Sequence, residues 1–425
     1  MTKVVCAPPE LLPEKLMRGV EYVSMFKHPG RTQVSTVGTG ILRAVQRAGL
    51  RPDATTWDFA TFALAAAAAD QAVLRSPSAD GWTRVIELST ALIEPDRFTE
   101  LAVPMQELLR FLSGDFWHLT FEASGTVAPC SKRLKVYAAD CVSLLSGGVD
   151  SLVGAIDLTA QGLHPLFVSQ KTKGDSATQI KYANTLGAAK RHIQWNHNIR
   201  ISHTTERSTR SRSIVFFGFA ALAASLLRDG AQAPVKVFVP ENGFISLNIS
   251  LNKGRTGSLS TKTTHPVFMD RLQAIWSALG VRAELVRPYA YKTKGELMAE
   301  CHDPKALAGL VGQSTSCGRF GYYNYTHCGR CVPCLVRRAS FLRAGIPDTT
   351  HAYHFTNLRT AGRESGPNDI GAVAAAVLRY EAMGIRRLTA GELSFAIPPA
   401  RREYEGVVAR GLDELGALLR QEQVL

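Results

Sequence analysis

The 425-residue sequence predicts an α/β fold with a doubly wound parallel sheet and a zinc knuckle. From Cys141 onward, short apolar runs alternate with amphipathic helical segments, a pattern typical of parallel strands joined by helices. A cluster of closely spaced cysteines follows over 317–334. Because the flanking regions differ in composition, we expect three parts: an N-terminal α+β accessory domain (1–138), the sheet domain (139–348) and a C-terminal helical extension (349–425).

The N-terminal region contains no recognisable chemical motif, and its patterning is mixed. An alanine-rich segment over 59–74 predicts a helix, and helical spacing predicts another over 103–112. Partial alternation over 82–92 and an apolar run over 116–121 predict strands. This irregular order of helices and strands favours an α+β domain.

The sheet domain shows regular alternation. Strands are predicted over 142–145, 166–168, 192–195, 235–239 and 283–286, with helices over 152–158, 177–186, 214–227 and 267–279. Ligands of such sheets bind beyond the carboxyl ends of the strands, so the segments that follow strands are the candidate functional segments. Residues 369–380 and 404–421 also have helical spacing, and we expect these two helices to cap the sheet domain.

A glycine-rich loop, Ser-Gly-Gly-Val-Asp-Ser, runs from Ser146 to Ser151 between the first of these strands and a helix. Its glycines permit a tight turn and close approach of a ligand, and its N–H groups and the helix N-terminus together favour an anion. The two serine hydroxyls add donors. An ordinary Gly-Gly turn is the alternative, but the complete pattern favours a phosphate-binding loop.

Further polar side chains lie near predicted strand ends or helix starts. Lys292 and Lys294 lie where a lysine can reach the phosphates of a nucleotide, although a solvated helix start is the alternative. Glu241 and Asn242 follow a strand, and the segment Ser260–Pro266 precedes a helix. We expect these last two segments to contact a polar heterocycle, although turn and capping chemistry explains them equally well.

Four of the eight cysteines form a candidate metal site. Cys328, Cys331 and Cys334 recur every three residues, and Cys317 is the nearest candidate for a fourth ligand. Four thiolates close a tetrahedral zinc site and leave no open position, so we expect a structural zinc. The alternatives are an iron–sulfur cluster, a redox dithiol, or His327 in place of Cys317.

Bulk properties narrow the class of protein. The net charge of +13 fits a nucleotide or an acidic partner, and no basic run is long enough to favour a nucleic-acid-binding arm. No apolar run reaches the roughly 20 residues of a membrane span, and no signal-peptide pattern is present, so we expect a cytoplasmic protein. No catalytic triad can be identified from the spacing of the residues. We therefore expect catalysis to depend on the positioning of substrates and on stabilisation of developing charge.

The order of these motifs resembles 7-cyano-7-deazaguanine synthase, a PP-loop ATP pyrophosphatase family with an adenine nucleotide alpha hydrolase-like fold. The resemblance covers residues 141–348. It rests on the Ser146–Ser151 loop, Arg212-Ser213-x-x-Phe216-Phe217, Lys292-Thr293-Lys294-x-Glu296, Thr315-Ser316-Cys317 and Cys328-x-x-Cys331-x-x-Cys334-x-x-Arg337. It implies a ligase or synthase that uses ATP and Mg²⁺ to activate 7-carboxy-7-deazaguanine as an adenylate. An amine then attacks, AMP and pyrophosphate are released, and the family converts the amide to a nitrile.

The resemblance also implies roles for particular residues. Asp150 and Lys294 would be catalytic. ATP would be held by Ser146, Gly147, Gly148, Val149, Asp150, Ser151, Ser169, Lys292 and Lys294. The substrate would be held by Arg212, Glu241, Asn242, Thr263, Thr264 and His265, and Zn²⁺ by Cys317, Cys328, Cys331 and Cys334.

The sequence departs from the family at two substrate segments. Asp-Tyr-Gly-Gln after the second strand is replaced by a segment that begins Ser169-Gln170-Lys171, and an Asp-Tyr-Ser-Gly-Tyr-Pro-Asp-Cys-Arg region by Ser260–Pro266. The long N-terminal region, the segment Pro240-Glu241-Asn242-Gly243 and the segment Ser260–Pro266 are more similar to the synthase-like proteins of bacterial anti-phage systems, Qat and type IV CBASS. The hypothesis that follows is transfer of the activated deazaguanine to an amine of a partner protein instead of ammonia.

Two other functions remain open from the sequence. One is an RNA-modifying PP-loop enzyme for tRNA thiolation or lysidine formation, although no RNA-binding domain is recognisable. The other is a non-catalytic, nucleotide-sensing subunit of a defence complex. The sequence leaves the oligomeric state and the role of residues 1–138 open.

Overall fold

The computed structural model describes residues 1–227, 233–251, 262–359 and 368–425. Its ten strands are β1 (Thr2–Ala7), β2 (Val20–Met25), β3 (Ser35–Val37), β4 (Val85–Ala91), β5 (Phe116–Glu122), β6 (Cys141–Leu144), β7 (Pro165–Gln170), β8 (His192–Trp195), β9 (Val235–Phe238) and β10 (Ala283–Val286). These strands of the described residues form two five-stranded sheets.

Fifteen α-helices lie in the same described residues. They are α1 (Ile41–Arg47), α2 (Ala54–Ala72), α3 (Pro95–Thr99), α4 (Ala102–Ser113), α5 (Val149–Ala160), α6 (Ser176–Thr185), α7 (Ile214–Leu226), α8 (Gly243–Leu247), α9 (Pro266–Leu279), α10 (Lys294–Ala299), α11 (Pro304–Leu310), α12 (Val332–Ala344), α13 (Ile370–Met383), α14 (Ile385–Thr389) and α15 (Pro398–Gln421). None of the described helices is long and apolar enough to cross a membrane.

The second sheet confirms the predicted parallel α/β arrangement. Its strand order is β10-β9-β6-β7-β8, and all four pairings between neighbouring strands are parallel. The chain builds outward from β6 through β7 to β8, then crosses back to add β9 and β10 on the other side. This reversal opens a crevice at the carboxyl ends of β6 and β9, which is where open α/β sheets bind ligands.

The N-terminal sheet corrects the expectation of an α+β domain. Its order is β3-β2-β1-β4-β5, and all of its ladders are parallel, so this region is also α/β. The strands predicted over 82–92 and 116–121 are β4 and β5. The prediction failed on β1 to β3, because they lie among irregular segments without clear alternation.

The two sheets share one hydrophobic core. Helix α2 is buried nearly all round, because its alanines let neighbouring elements approach closely on every side. The backbone of α7 comes close to α2 at Gly218, where an added Cβ would lie 3.2 Å from the Cα of Ala60. Phe59 of α2 meets Trp276 of α9 edge to face, with ring centroids 5.8 Å apart. Apolar contact is therefore continuous across residue 138.

Buried ion pairs connect the same regions. Arg84 binds Asp70 at 2.5 Å and Asp115 at 2.6 Å, and the side chains of all three are at most 1% exposed. Asp70 also accepts hydrogen bonds from the backbone N–H groups of Arg210 and Ser211, at the start of α7. The segment that leads into α7 is thereby attached to the N-terminal sheet.

The C-terminal region is helical, as predicted. Helices α13 and α15 contain the segments predicted over 369–380 and 404–421, although α15 begins six residues earlier than expected. They form a second hydrophobic cluster with residues of α8 and α12. The C-terminal helices therefore pack directly against two elements of the sheet domain.

Candidate functional site

The glycine-rich loop lies at the carboxyl end of β6, as predicted. Gly147 adopts φ +95°, a left-handed conformation that glycine tolerates, and Gly148 is the N-cap of α5. The Ser151 hydroxyl lies 3.2 Å from the Gly147 N–H and 3.1 Å from the Ser146 hydroxyl. These internal bonds hold the loop in a tight turn directly before the N-terminus of α5, a position that favours an anion.

A buried polar cluster adjoins this loop. Asp150, in the first turn of α5, lies 2.8 Å from the Lys294 ammonium and accepts a 2.7 Å hydrogen bond from the side-chain amide of Asn242. Glu241 is hydrogen-bonded to the same carboxyl group. The structure therefore brings together four predicted site residues from the ends of β6 and β9 and the start of α10, at the crevice of the sheet.

The charges within this cluster are unequal. Burial opposes ionisation of Asp150, but the Lys294 ammonium and hydrogen bonds from Glu241 and Asn242 outweigh it and hold the pKa of Asp150 below its usual range. Burial and the Asp150 charge raise the pKa of Glu241 well above its usual range. Of the two carboxyl groups, Asp150 is thus the more readily ionised and Glu241 the more readily protonated.

The start of α10 fixes the position of Lys294. Thr293 and Glu296 form a capping box, in which the Thr293 hydroxyl accepts from the Glu296 N–H and the Glu296 carboxylate accepts from the Thr293 N–H. The same hydroxyl donates to Glu414 of α15. Lys292 points elsewhere and pairs with Glu300 at 2.6 Å, with its side chain 40% exposed. The two lysines predicted together therefore face different surroundings.

Two other predicted residues lie near this edge without joining the cluster. The Ser169 hydroxyl is fully buried, where it donates to the Leu145 carbonyl at 2.7 Å and lies 2.9 Å from His192 Nε2. Contact between Ser169 and a nucleotide would require these bonds to break. Arg212 is exposed, and burial together with the Arg212 charge lowers the pKa of nearby His197 to about 4.

The predicted segment before α9 divides in two. Thr264 accepts a 3.1 Å hydrogen bond from the Ser246 hydroxyl and lines a small cavity with Glu241. His265 instead caps α9 and packs between Phe111 and Phe395, and burial lowers its pKa to about 3. Thr263 is partly buried, while Ser260 and Thr261 lie outside the described residues.

The four predicted cysteines form a buried cluster. All four Sγ atoms lie within 4.8 Å of one another, with Cys317 and Cys331 3.9 Å apart and Cys328 and Cys334 3.8 Å apart. Gly329, at φ +88°, allows the turn between the first two cysteines of the run. The cluster could hold a metal ion such as zinc. His327 does not join it, because its Nε2 accepts a hydrogen bond from the Ser316 N–H at 3.2 Å.

Sequence reasoning missed the residues that support the loop from outside. Gln179 of α6 donates to the Ser146 carbonyl, and the Thr315 N–H donates to the Gly147 carbonyl, both at 3.0 Å. Glu414, which binds Thr293, was also missed. The motif containing Thr315 was noted for its resemblance, but no local pattern identified Gln179 or Glu414 as parts of the site.

Comparison with known proteins supports one relationship. A 7-cyano-7-deazaguanine synthase from Paracoccus denitrificans (strain Pd 1222) is 25% identical to this chain over 230 residues, which cover 49% of this chain and 91% of that protein. This weak similarity supports a relationship to that family over half of the chain. No family model and no solved structure matches the chain.

Proposed function

We propose that this protein uses ATP to activate the carboxylate of a 7-deazaguanine acid and then joins the acyl group to an amine. The carboxylate would take AMP from ATP and release pyrophosphate. The amine would then displace AMP and form an amide. The observation that carries the proposal is the buried cluster of Asp150, Lys294 and Asn242, with the half-buried Glu241 beside it, next to the glycine-rich loop at the crevice of a parallel sheet.

Each side of the crevice has its own role in this proposal. The N–H groups of Gly147 and Gly148, the Val149 turn of α5 and the hydroxyls of Ser146 and Ser151 would bind the pyrophosphate part of ATP. Lys294 would neutralise developing negative charge on the phosphates. Carboxylate oxygens suit Mg²⁺, so Asp150 is the candidate ligand for an ion that neutralises phosphate charge.

The substrate acid would lie toward the end of β9. Glu241 and Thr264 line a small cavity there with Tyr404 of α15. The Asn242 amide bonds Asp150 and the Ile245 N–H, so it would act on the substrate through Asp150. A protonated Glu241 could donate to the heterocycle, which a carboxylate cannot do. Ser169, Lys292, Arg212, Thr263 and His265 stay sequence-based assignments.

The cysteine cluster would hold a structural Zn²⁺ ion. Tetrahedral zinc with Zn–S bonds of about 2.3 Å requires sulfur atoms about 3.8 Å apart, and the separations of 3.8 and 3.9 Å fit that requirement. When bound, zinc would cross-link the segment at Cys317 to the start of α12. Since four thiolates fill the coordination shell, zinc would take no part in catalysis.

The acceptor amine would be ammonia or an amine of a partner protein, in the latter case within anti-phage defence. The support is an intact phosphate loop beside altered segments at 169–171 and 260–266, together with an added N-terminal sheet. The substrate segments differ from those of the synthase family, whereas the phosphate loop matches it. This combination fits an enzyme that keeps the ATP chemistry and uses a different acceptor amine. A co-expressed partner that gains the mass of the deazaguanine acyl group would support this branch, whereas accumulation of free nitrile with an unmodified partner would contradict it.

The central experiment is incubation of the protein with ATP, Mg²⁺ and 7-carboxy-7-deazaguanine, with and without ammonia, followed by mass analysis. We expect AMP and pyrophosphate to form only when the acid is present, and an amide or nitrile when ammonia is added. Guanine, which has no carboxylate, is the matched control substrate. Formation of ADP and phosphate, or AMP formation equally fast with guanine, would contradict the proposed function.

A further inference from the structure

The phosphate loop has a defined outer side. A loop that binds phosphate through N–H groups must direct its carbonyl groups away from the ligand, because carbonyl oxygens repel anions. The Ser146 carbonyl accepts from Gln179, and the Gly147 carbonyl accepts from the Thr315 N–H. Two consecutive carbonyls are thus held from outside by residues that are not part of the loop.

Gln179 is itself held rigidly. Its side chain is 1% exposed, and its amide nitrogen lies 3.0 Å from the Ser146 carbonyl and 3.3 Å from the Gln170 carbonyl. Its amide oxygen accepts a 2.9 Å hydrogen bond from Gln194 of β8. Because every polar atom of the amide is engaged, this side chain links the loop to the ends of β7 and β8 in one orientation.

Thr315 belongs to a short strap, residues 314–316, that Arg337 of α12 holds in place. The Arg337 guanidinium is fully buried and donates to the Ser314 hydroxyl at 2.7 Å and the Ser316 hydroxyl at 3.2 Å. The strap continues into Cys317, so the cysteine cluster fixes its other end. An added Cβ on Gly148 would lie 3.2 Å from the Thr315 carbonyl, which shows how closely the strap approaches the loop.

We propose that Gln179 and Arg337 are positioning residues for ATP, which orient the phosphate loop by holding its carbonyl groups away from the ligand. This inference rests on the proposed ATP site and adds to it two residues that would never touch ATP. The fold would then supply the loop's orientation before ATP arrives, which lowers the cost of binding. The cysteine cluster would contribute through the strap and not through its metal's chemistry.

The test compares substitutions of Gln179 and Arg337 with substitutions of similar residues that do not contact the loop or the strap. Gln179→Met keeps the length of the side chain but removes the donor to Ser146. Arg337→Lys keeps the charge but loses the fork that spans the strap. We expect each to weaken binding of ATP in the presence of Mg²⁺ about tenfold in isothermal titration, because one buried hydrogen-bonded contact to the loop is lost. The KM for ATP should rise similarly, while the KM for the acid stays unchanged.

Two matched controls separate positioning from general loss of stability. Gln273→Met removes a glutamine of α9 whose amide is also bonded at both ends, here to the Ala283 carbonyl and the Leu285 N–H, far along the chain from the loop. Arg338→Lys alters the residue next to Arg337. Arg338 donates to the Thr356 carbonyl and pairs with Glu422. Both should lower the melting temperature without weakening ATP binding.

The outcomes are distinct. If Gln179→Met binds ATP within about twofold of the unaltered protein, or no more weakly than Gln273→Met, the positioning role is wrong. Zinc content, measured on each variant, should stay unchanged in Gln179→Met, so the effect cannot come from loss of the metal. If the unaltered protein itself does not bind ATP, the proposed function fails and this inference fails with it.

Discussion

The two sheets of this protein have the same topology but very different strand ends. The N-terminal order β3-β2-β1-β4-β5 and the core order β8-β7-β6-β9-β10 describe one arrangement, in which the first strand lies centrally and the fourth begins the other side. In the core sheet, Ser146, Gly147 and Gly148 follow the first strand and lead into α5. In the N-terminal sheet, Pro8 and Pro9 follow it.

This difference explains why the core sheet carries the candidate site. Prolines lack the N–H group that binds an anion, and residues 8–19, all of which are described, contain no α-helix whose N-terminus could replace it. The connection from β6 to β7 supplies both. Both sheets therefore have a crevice because of their topology, but the residues that follow the central strand determine whether the crevice can bind a phosphate.

The buried ion pairs of the two sheets also differ in position. In the core sheet, the pair of Asp150 and Lys294 lies beyond the carboxyl end of β6. In the N-terminal sheet, Arg84 and Asp115 immediately precede β4 and β5, at the amino ends. Since parallel sheets bind ligands at carboxyl ends, we interpret the N-terminal charges as structural.

The largest expected effect tests that structural role. Arg84→Met should reduce the free energy of unfolding by about 3–5 kcal/mol, because it leaves Asp70 and Asp115 buried with one fewer cation. Chemical denaturation would measure the loss, and ATP binding by the folded protein should be unchanged. A loss below about 1 kcal/mol would show that the network resembles a surface ion pair.

The next effect concerns the acid that follows the first strand of each sheet. Asp150→Asn should slow AMP formation about 10²- to 10³-fold, since the charge beside the phosphates is lost from a buried site. Glu10→Gln, which alters the exposed acid after β1, is the control and should leave the rate unchanged. If the unaltered protein, Asp150→Asn and Glu10→Gln all formed AMP at the same rate, the proposed functional difference between the two sheets would be wrong.

The smallest expected effect is a dependence of stability on pH. Burial raises the pKa of Glu414 from 4.5 to about 7, so the folded protein binds a proton that the unfolded chain releases. This contribution is complete below the unfolded pKa of 4.5 and is lost as the pH rises through about 7. Between pH 4.5 and about 7, the free energy of unfolding should therefore fall less in Glu414→Gln than in the unaltered protein, by on the order of 1–3 kcal/mol.

Chemical denaturation of both proteins at a series of pH values would check this prediction. A decline of the same size in Glu414→Gln would assign the pH dependence to another group. Because Glu414 binds the Thr293 cap before Lys294, ATP affinity measured over the same range would also show whether the C-terminal helix influences the core site.

Sequence reasoning located the candidate site better than it located its supports. The glycine-rich loop and the cysteine run are local patterns, and in the structure they form a tight turn before α5 and a buried cluster. Gln179 lies 33 residues from Ser146 and Glu414 lies 121 residues from Thr293, so only the folded chain brings them together. Strands β1 to β3 were missed for another reason: no α-helix separates them, so the strand–helix alternation that identified the equally short core strands is absent there.

The shared hydrophobic core has a consequence for how this chain can be divided. A cut near residue 138 would follow the domain boundary predicted from the sequence, yet it would remove the alanine-rich surface of α2 that covers α7. The same cut would leave Asp70 on one fragment and the N–H groups of Arg210 and Ser211 on the other. Neither fragment would retain a closed interior, because the N-terminal region and the sheet domain each cover apolar surface of the other.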